Sequence, residues 1–441
     1  MEKLSDFIRK YRDVLYALFL IMPTYSGMRA EIYVIFFLTV FFFERDTLLR
    51  KLLDFLQAPF QKKNFLVWLV AAIMLISLIN KVYNGNEILC KKDYYSAFYL
   101  FPFLVLSSKL VYSERFFKFL ILFTVLECII GISEYTAGVR SFFINNVESN
   151  SITDYSLFYN SRVYGLSENS SIFSYKIFIA FILIDFVKIT NVENWTYRIL
   201  LLIGLLCSFS RIIILLLVLY WALILIQKLI LNRKDLLKSA SLHFMSVVIL
   251  FCLVFFVQLR HQMSRGDHAS ENAFGGKSAA IKAPVTCDEI HALPMLPGEL
   301  NPDKQGWGDK FMLGTNGIQS SGRKKIWLNY LNFIEKHFWF GNGSDKLMLR
   351  SYMESTRTYK LVHAHNSFLQ LVATNGVLIS LLYFLFYTLL FRSGNYLAII
   401  LFLLYSLGNY GIFWGFSYMD VIFLLFLNFP LKATYDYERE S

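Results

Sequence analysis

Apolar residues fall in long runs separated by polar stretches rich in lysine and arginine. The runs lie at residues 14–27, 32–43, 65–79, 95–106, 116–132 and 172–187, then at 199–208, 212–226, 244–257, 368–391, 396–412 and 421–431. Several approach the ~20 apolar residues that cross a ~30 Å hydrocarbon core. The pattern predicts an all-α polytopic membrane protein of roughly twelve transmembrane helices. The start, MEKLSDFIRKYRDVLYALFL, lacks a small-residue cleavage site, so an uncleaved first span is expected rather than a signal peptide.

Basic residues then assign sides. Lys3, Arg9, Lys10 and Arg12 precede the first run, and Arg45, Arg50, Lys51, Lys62 and Lys63 follow the second. Lys109 and Arg115, Lys188 and Arg198, Lys228, Arg233, Lys234 and Lys238, Arg392, and finally Lys432 and Arg439 continue the series. All fall on one side if both termini are cytoplasmic. The stretch 199–226 is interrupted by Arg211. As one tilted helix it would bury a charge near mid-membrane, at a cost of ~2.5–3.5 kcal/mol or more. As two short spans it puts both basic flanks inside and Arg211 at an outer turn, which is the expected arrangement.

Two outer segments are long, at 133–169 and 258–366. The second opens with a Gly/Pro-rich stretch and then shows Ile326, Tyr330, Phe333 and Ile334 at helical spacing, with Gly341–Gly343 ending the helix. The expected organisation is an N-terminal bundle of about nine spans over 1–257, a large loop containing helices over 258–366, and C-terminal helices with a cytoplasmic tail over 367–441.

Composition agrees with a membrane class. Hydrophobic residues make up 56% of the chain and charged residues 17%, and the mean hydropathy is +0.48. A soluble domain has about 45–50% apolar and about 25% charged residues. The net charge of +11 belongs to the cytoplasmic loops and does not call for nucleic acid. Cys128, Cys207 and Cys252 lie in apolar runs and are expected to be buried packing residues. Cys90 and Cys287 fall in outer polar loops, where a disulfide could form.

With this topology Arg162, Arg211, Arg265, Arg323, His363 and His365 all lie at or beyond the outer face. Guanidinium is the usual bidentate partner of phosphate, and neutral imidazole is the usual general base near neutral pH. The set fits a phosphorylated, lipid-linked substrate attacked by a hydroxyl. Each residue also has a plainer reading: Arg211 as a topological anchor, Arg323 as an exposed charge on an amphipathic helix, Arg265 as a solvated side chain, Arg162 as a loop anchor. His363 and His365 would diverge by ~200° on a helix, so one of them is expected to face any given ligand. His365 precedes a helix start, with Asn366 or Ser367 as N-cap, and a helix N-terminus disfavours imidazolium. The spacing of His, Cys, Asp and Glu does not fit a metal site.

The order Ser210-Arg211, Gly322-Arg323, Gly341–Gly343 and then His363-Ala-His-Asn-Ser-Phe-Leu-Gln370 resembles the O-antigen polymerase and O-antigen ligase superfamily, over roughly the C-terminal half. The resemblance implies a metal-independent, inverting glycosyltransferase of GT-C-like architecture that needs no cofactor. Arg211 and Arg323 would engage a diphosphate and His365 would deprotonate the acceptor; Arg162, Arg265, His363 and Asn366 are expected to bind substrate from their place at the outer face rather than from the resemblance. Trp307, Trp327 and Trp339 in the loop suit sugar stacking as well as ordinary packing. The implied partners are undecaprenyl-diphosphate-linked glycan donor and acceptor, the bilayer and a chain-length regulator protein, without nucleic acid. The implied location is the bacterial inner membrane, with a periplasmic active site. Polymerase is the favoured reading and ligase the alternative. A polysaccharide flippase would need neither the outer histidine nor the long loop.

Overall fold

The computed structural model describes residues 2–21, 65–83, 114–143, 162–208 apart from 168, 210–230, 323–341, 364–390 and 396–409, with scattered positions between 35 and 61 and at 422–423. In chain order these form α1 (Glu2–Ile21), α2 (Phe65–Tyr83), α3 (Glu114–Thr136), α4 (Ser170–Ile184) and α5 (Asn191–Ser208). They continue with α6 (Arg211–Ile230), α7 (Arg323–Lys336), α8 (Ser367–Leu390) and α9 (Tyr396–Gly408). Helices are the only regular elements among the described residues. Apolar runs of this length take that form because in lipid each backbone N–H and C=O must be satisfied within its own segment. The runs at 95–106 and 244–257 lie outside the described residues.

The distribution of side chains is that of a bilayer-embedded bundle. Leu126 and Ile129 on α3, Ile199 and Ile203 on α5, Leu381 and Leu385 on α8, and Leu404 and Leu407 on α9 are exposed. Thr124, Glu127, Lys176, Ser380 and Ser406 point inward and are buried. α4 is the centre, buried on nearly every side, with α3, α5 and α6 around it. Cys128 and Cys207 are buried, as their apolar runs imply. Among the described residues, Glu114–Thr136 and Ser367–Leu389 are long and apolar enough to cross a membrane, and Phe65–Asn80, Ser170–Ile184, Ile212–Ile226 and Leu397–Gly408 are shorter apolar helices.

Asp185, at the C-cap of α4, settles how the chain passes Arg211. Its Oδ1 accepts from Arg198 Nη2 of α5 at 2.6 Å, and its Oδ2 accepts from Tyr220 of α6 at 2.8 Å. In one continuous helix Arg198 and Tyr220 would stand ~33 Å apart at 1.5 Å per residue. Both reach one carboxylate, so α5 and α6 fold back on each other as a hairpin with its turn at Ser210.

Other bonds show that the helix ends gather in two groups. At the Asp185 end, Glu114 of α3 accepts from the backbone N–H of Lys188 at 3.0 Å. At the opposite end lie the C-termini of α3, α5 and α9 and the N-termini of α4, α6 and α8. There Val163 N–H donates to the Cys207 carbonyl at 3.3 Å, and Asn366 Nδ2 donates to the Leu407 carbonyl at 2.9 Å.

α8 differs from the single span expected over 368–391. Gly376 has φ 71° and ψ 175°, which breaks the helix into residues 367–375 and 377–390. The N–H groups that the break frees are taken up by a neighbouring turn: Val377 donates to the Phe338 carbonyl at 2.9 Å and Leu378 to that of Trp339 at 3.4 Å. A Cβ at Gly376 would fall on the Trp339 carbonyl and the Phe340 amide, so the position takes glycine only. Residues 367–375 then pack on α7 in a small second core of Ile326, Tyr330, Phe333, Ile334, Ala364 and Ala373. The α7 positions picked out by helical spacing are all in that core. Asn80 of α2 donates to the Phe340 carbonyl and joins this unit to the bundle.

Candidate functional site

His365 is the residue before the N-cap of α8, with φ 49°, a left-handed conformation uncommon among non-glycine residues, although less so for histidine than for most. Asn366 is the cap. Its Oδ1 accepts from Phe368 N–H at 2.9 Å and Leu369 N–H at 3.0 Å, satisfying amides that the first turn leaves unpaired. Its Nδ2 holds the Leu407 carbonyl at the end of α9, so the side chain is engaged within the fold. On the other side of His365, buried Ala364 donates its N–H to Gln370 Oε1 at 3.1 Å and accepts from Trp327 Nε1 at 2.9 Å. Gln370 Oε1 also accepts from Tyr330 at 2.8 Å. His365 is thus clamped from both flanks.

The same contacts lead to the two arginines that stand at helix starts. Arg323 is the first residue of α7, one turn before the Trp327 that bonds Ala364. Arg211 is the first residue of α6. Its neighbour Ile212 lies against Gly408, where an added Cβ would meet the Ile212 Cδ1 at 3.5 Å. Gly408 stands between Leu407, bonded by Asn366, and Asn409, whose carbonyl accepts from Ser367 Oγ at 3.4 Å. The N-termini of α6, α7 and α8 are therefore brought to one region, each opening on a residue singled out by the sequence. Helix N-termini carry partial positive charge and unpaired amides, so the region is electropositive even before the guanidinium groups are counted.

Arg162 is half-buried in a segment that enters the head of the bundle. Its neighbour Val163 is fully buried and bonded to Cys207, near the end of α5. That places Arg162 beside the α5–α6 turn where Arg211 begins. Arg265 and His363 lie outside the described residues, as do Cys90, Cys287 and Trp307.

Charges inside the bundle are what the motif-based reading missed. Glu127 and Lys176 form a fully buried ion pair of 2.7 Å, and Glu134 is fully buried seven residues along the same helix. Ionisable residues inside apolar runs are costly and mark function or tight structure, which is the signal that would have found Glu127 and Lys176; Glu134 lies just past the run at 116–132. Outside the bundle, His337 stacks on Phe333 with ring centroids 4.6 Å apart. Burial, and then the nearby Lys336 charge, hold its imidazole below the ordinary value of 6.5. Among the described residues no group of three or more His, Cys, Asp or Glu side chains is placed to hold a metal ion.

Residues 197–384 match the family model described as O-antigen ligase. The match supports the O-antigen polymerase and ligase superfamily and does not separate its two activities. It covers less than half of the chain, from α5 through α7 into α8, so it takes in Arg211, Arg265, Arg323, His363 and His365 and leaves out Arg162. No curated protein matches the chain.

Proposed function

We propose that the chain is an O-antigen polymerase of the inner membrane, a GT-C-like glycosyltransferase of roughly twelve helices with cytoplasmic termini and a periplasmic site. It moves a glycan from undecaprenyl diphosphate to the non-reducing-end hydroxyl of another lipid-linked repeat unit. The observation that carries this reading is the meeting of three helix N-termini that open on Arg211, Arg323 and the His365-Asn366 pair. A left-handed histidine supports it further, since such strain, of order 1–3 kcal/mol, collects at functional positions.

In the reaction the acceptor hydroxyl oxygen bonds to the anomeric carbon while the carbon–oxygen bond to the diphosphate breaks. His365 takes the hydroxyl proton. The undecaprenyl diphosphate leaves with the bonding electrons, and Arg211 and Arg323 neutralise the charge that develops on it. A single displacement inverts the anomeric configuration. Diphosphate is already a good leaving group, so positioning and charge stabilisation suffice without a covalent nucleophile or a metal. Arg162, Arg265 and His363 would add contacts to donor or acceptor, and Asn366 acts through the cap that holds His365. A chain-length regulator as partner rests on the resemblance alone.

The ligase alternative, with lipid A-core as acceptor, is favoured by the description of the matching family. The test is replacement of Arg211, Arg323 and His365 by alanine, one at a time, in a strain lacking the gene. Each variant should accumulate in the membrane yet fail to restore surface polysaccharide, and full restoration by all three would end the proposal. The null strain separates the activities: core carrying one repeat unit means that a polymerase was lost, bare core that a ligase was lost.

A further inference from the structure

The segment before α4 is held by an unusual number of buried polar groups. Glu127 Oε2 pairs with Lys176, and its Oε1 accepts from Ser167 Oγ at 2.6 Å. Two turns along the same face of α3, Glu134 accepts from Phe142 N–H at 3.0 Å and from Gly165 N–H at 2.8 Å, tying both arms of the loop that joins α3 to α4. Tyr164 N–H donates to the Arg140 carbonyl at 2.9 Å, and Val163 N–H to Cys207. Gly165 has φ +57°, and a Cβ there would meet Glu127 Cγ and the Phe173 ring at 3.0 Å. Every backbone amide from 163 to 165 is thus assigned to another part of the head of the bundle.

Loops ordinarily run over the surface and need no buried charge to hold them. A buried ion pair seldom adds net stability, because desolvation offsets its attraction, but it can enforce one arrangement. The arrangement enforced here sets Arg162 next to the turn at which Arg211 starts α6. We propose that Glu127, Lys176 and Glu134 are positioning residues that lock residues 162–167 into the bundle head, so that Arg162 joins Arg211 in binding the donor diphosphate. The inference rests on the diphosphate site proposed above and extends it to a loop outside the matched family segment.

The test measures binding of undecaprenyl diphosphate to the purified full-length protein in nanodiscs. E127L/K176M removes the pair and the Ser167 tie together; apolar replacement of a buried pair is often neutral or stabilising, so the bundle should hold. Ser167→Ala removes the loop tie alone and serves if the double variant does not accumulate. Both should weaken binding, by about tenfold for the double variant, whose thermal midpoint should be unchanged. On an Arg162→Ala background the same changes should weaken it no further. Unchanged binding, weakening that adds fully to that of Arg162→Ala, or an Arg162→Ala protein that binds like wild type would each overturn the inference. An Arg211→Ala protein that binds like wild type would instead overturn the diphosphate reading itself.

Discussion

At the scale of the residue, His365 is where backbone strain and the proposed proton transfer coincide. A histidine at φ 49° gains nothing from that conformation unless its neighbours or its task require it. Replacement by glycine should therefore be close to neutral for stability, within ~1 kcal/mol, while transfer falls by at least ~100-fold with loss of the base. An almost unchanged unfolding midpoint with lost turnover is what to look for; a protein that loses both together would make the position structural. Asn366→Ala should cost ~1 kcal/mol through the lost cap and lower turnover by letting His365 drift. The cap was legible in the sequence, because Asn before Ser and an apolar run is a local signal. The left-handed turn was not, since it depends on bonds from Trp327 and Gln370 to Ala364. Nor was the Glu127–Lys176 pair, whose members lie 49 residues apart.

Among elements, the α5–α6 hairpin hangs on one carboxylate. Asp185→Ala removes a charge-assisted bond from each helix and leaves Arg198, only 7% exposed, without that partner. A loss of ~1.5–3 kcal/mol per bond should appear as a lower thermal midpoint in detergent, with the end at which α6 begins less affected than the Asp185 end. Basic flanks on both sides of the run predicted this hairpin. Helical spacing likewise predicted α7, because Ile326, Tyr330, Phe333 and Ile334 repeat with the turn. The break at Gly376 falls inside the run read as one span: Asn375-Gly376 is a local turn signal, but the contact that demands glycine comes from the distant Trp339–Phe340 backbone. The turn after α7 also carries a pH dependence. His337 is held neutral by burial, below its usual 6.5, so the undocked form takes up a proton first as pH falls. Docking of α7 should be fully present above about pH 6.5 and weaken below it. Limited proteolysis of residues 323–341 against pH would read this, and His337→Gln should flatten the profile.

On the scale of the whole molecule, the proposed membrane topology puts the two groups of helix ends on opposite sides of the bilayer. Phe142 and Val192 are exposed at the two ends. In a background lacking Cys90 and Cys287, Phe142→Cys should react with a membrane-impermeant maleimide in cells with a permeabilised outer membrane. Val192→Cys should react only after lysis, and the reverse pattern would invert the molecule. The interruption of α8 has a mechanical consequence in such a bilayer. Membranes that thicken or thin make spanning helices tilt, and an unbroken α8 would swing its far end by the same angle. With the break at Gly376, a tilt of the later part of α8 need not pass along one continuous helix to residues 367–375, which are packed on α7. In the proposed reaction this would leave His365 less dependent on acyl-chain length than an unbroken α8 would. Similar turnover in short- and long-chain bilayers is the expected observation, and a steep dependence on chain length would count against it.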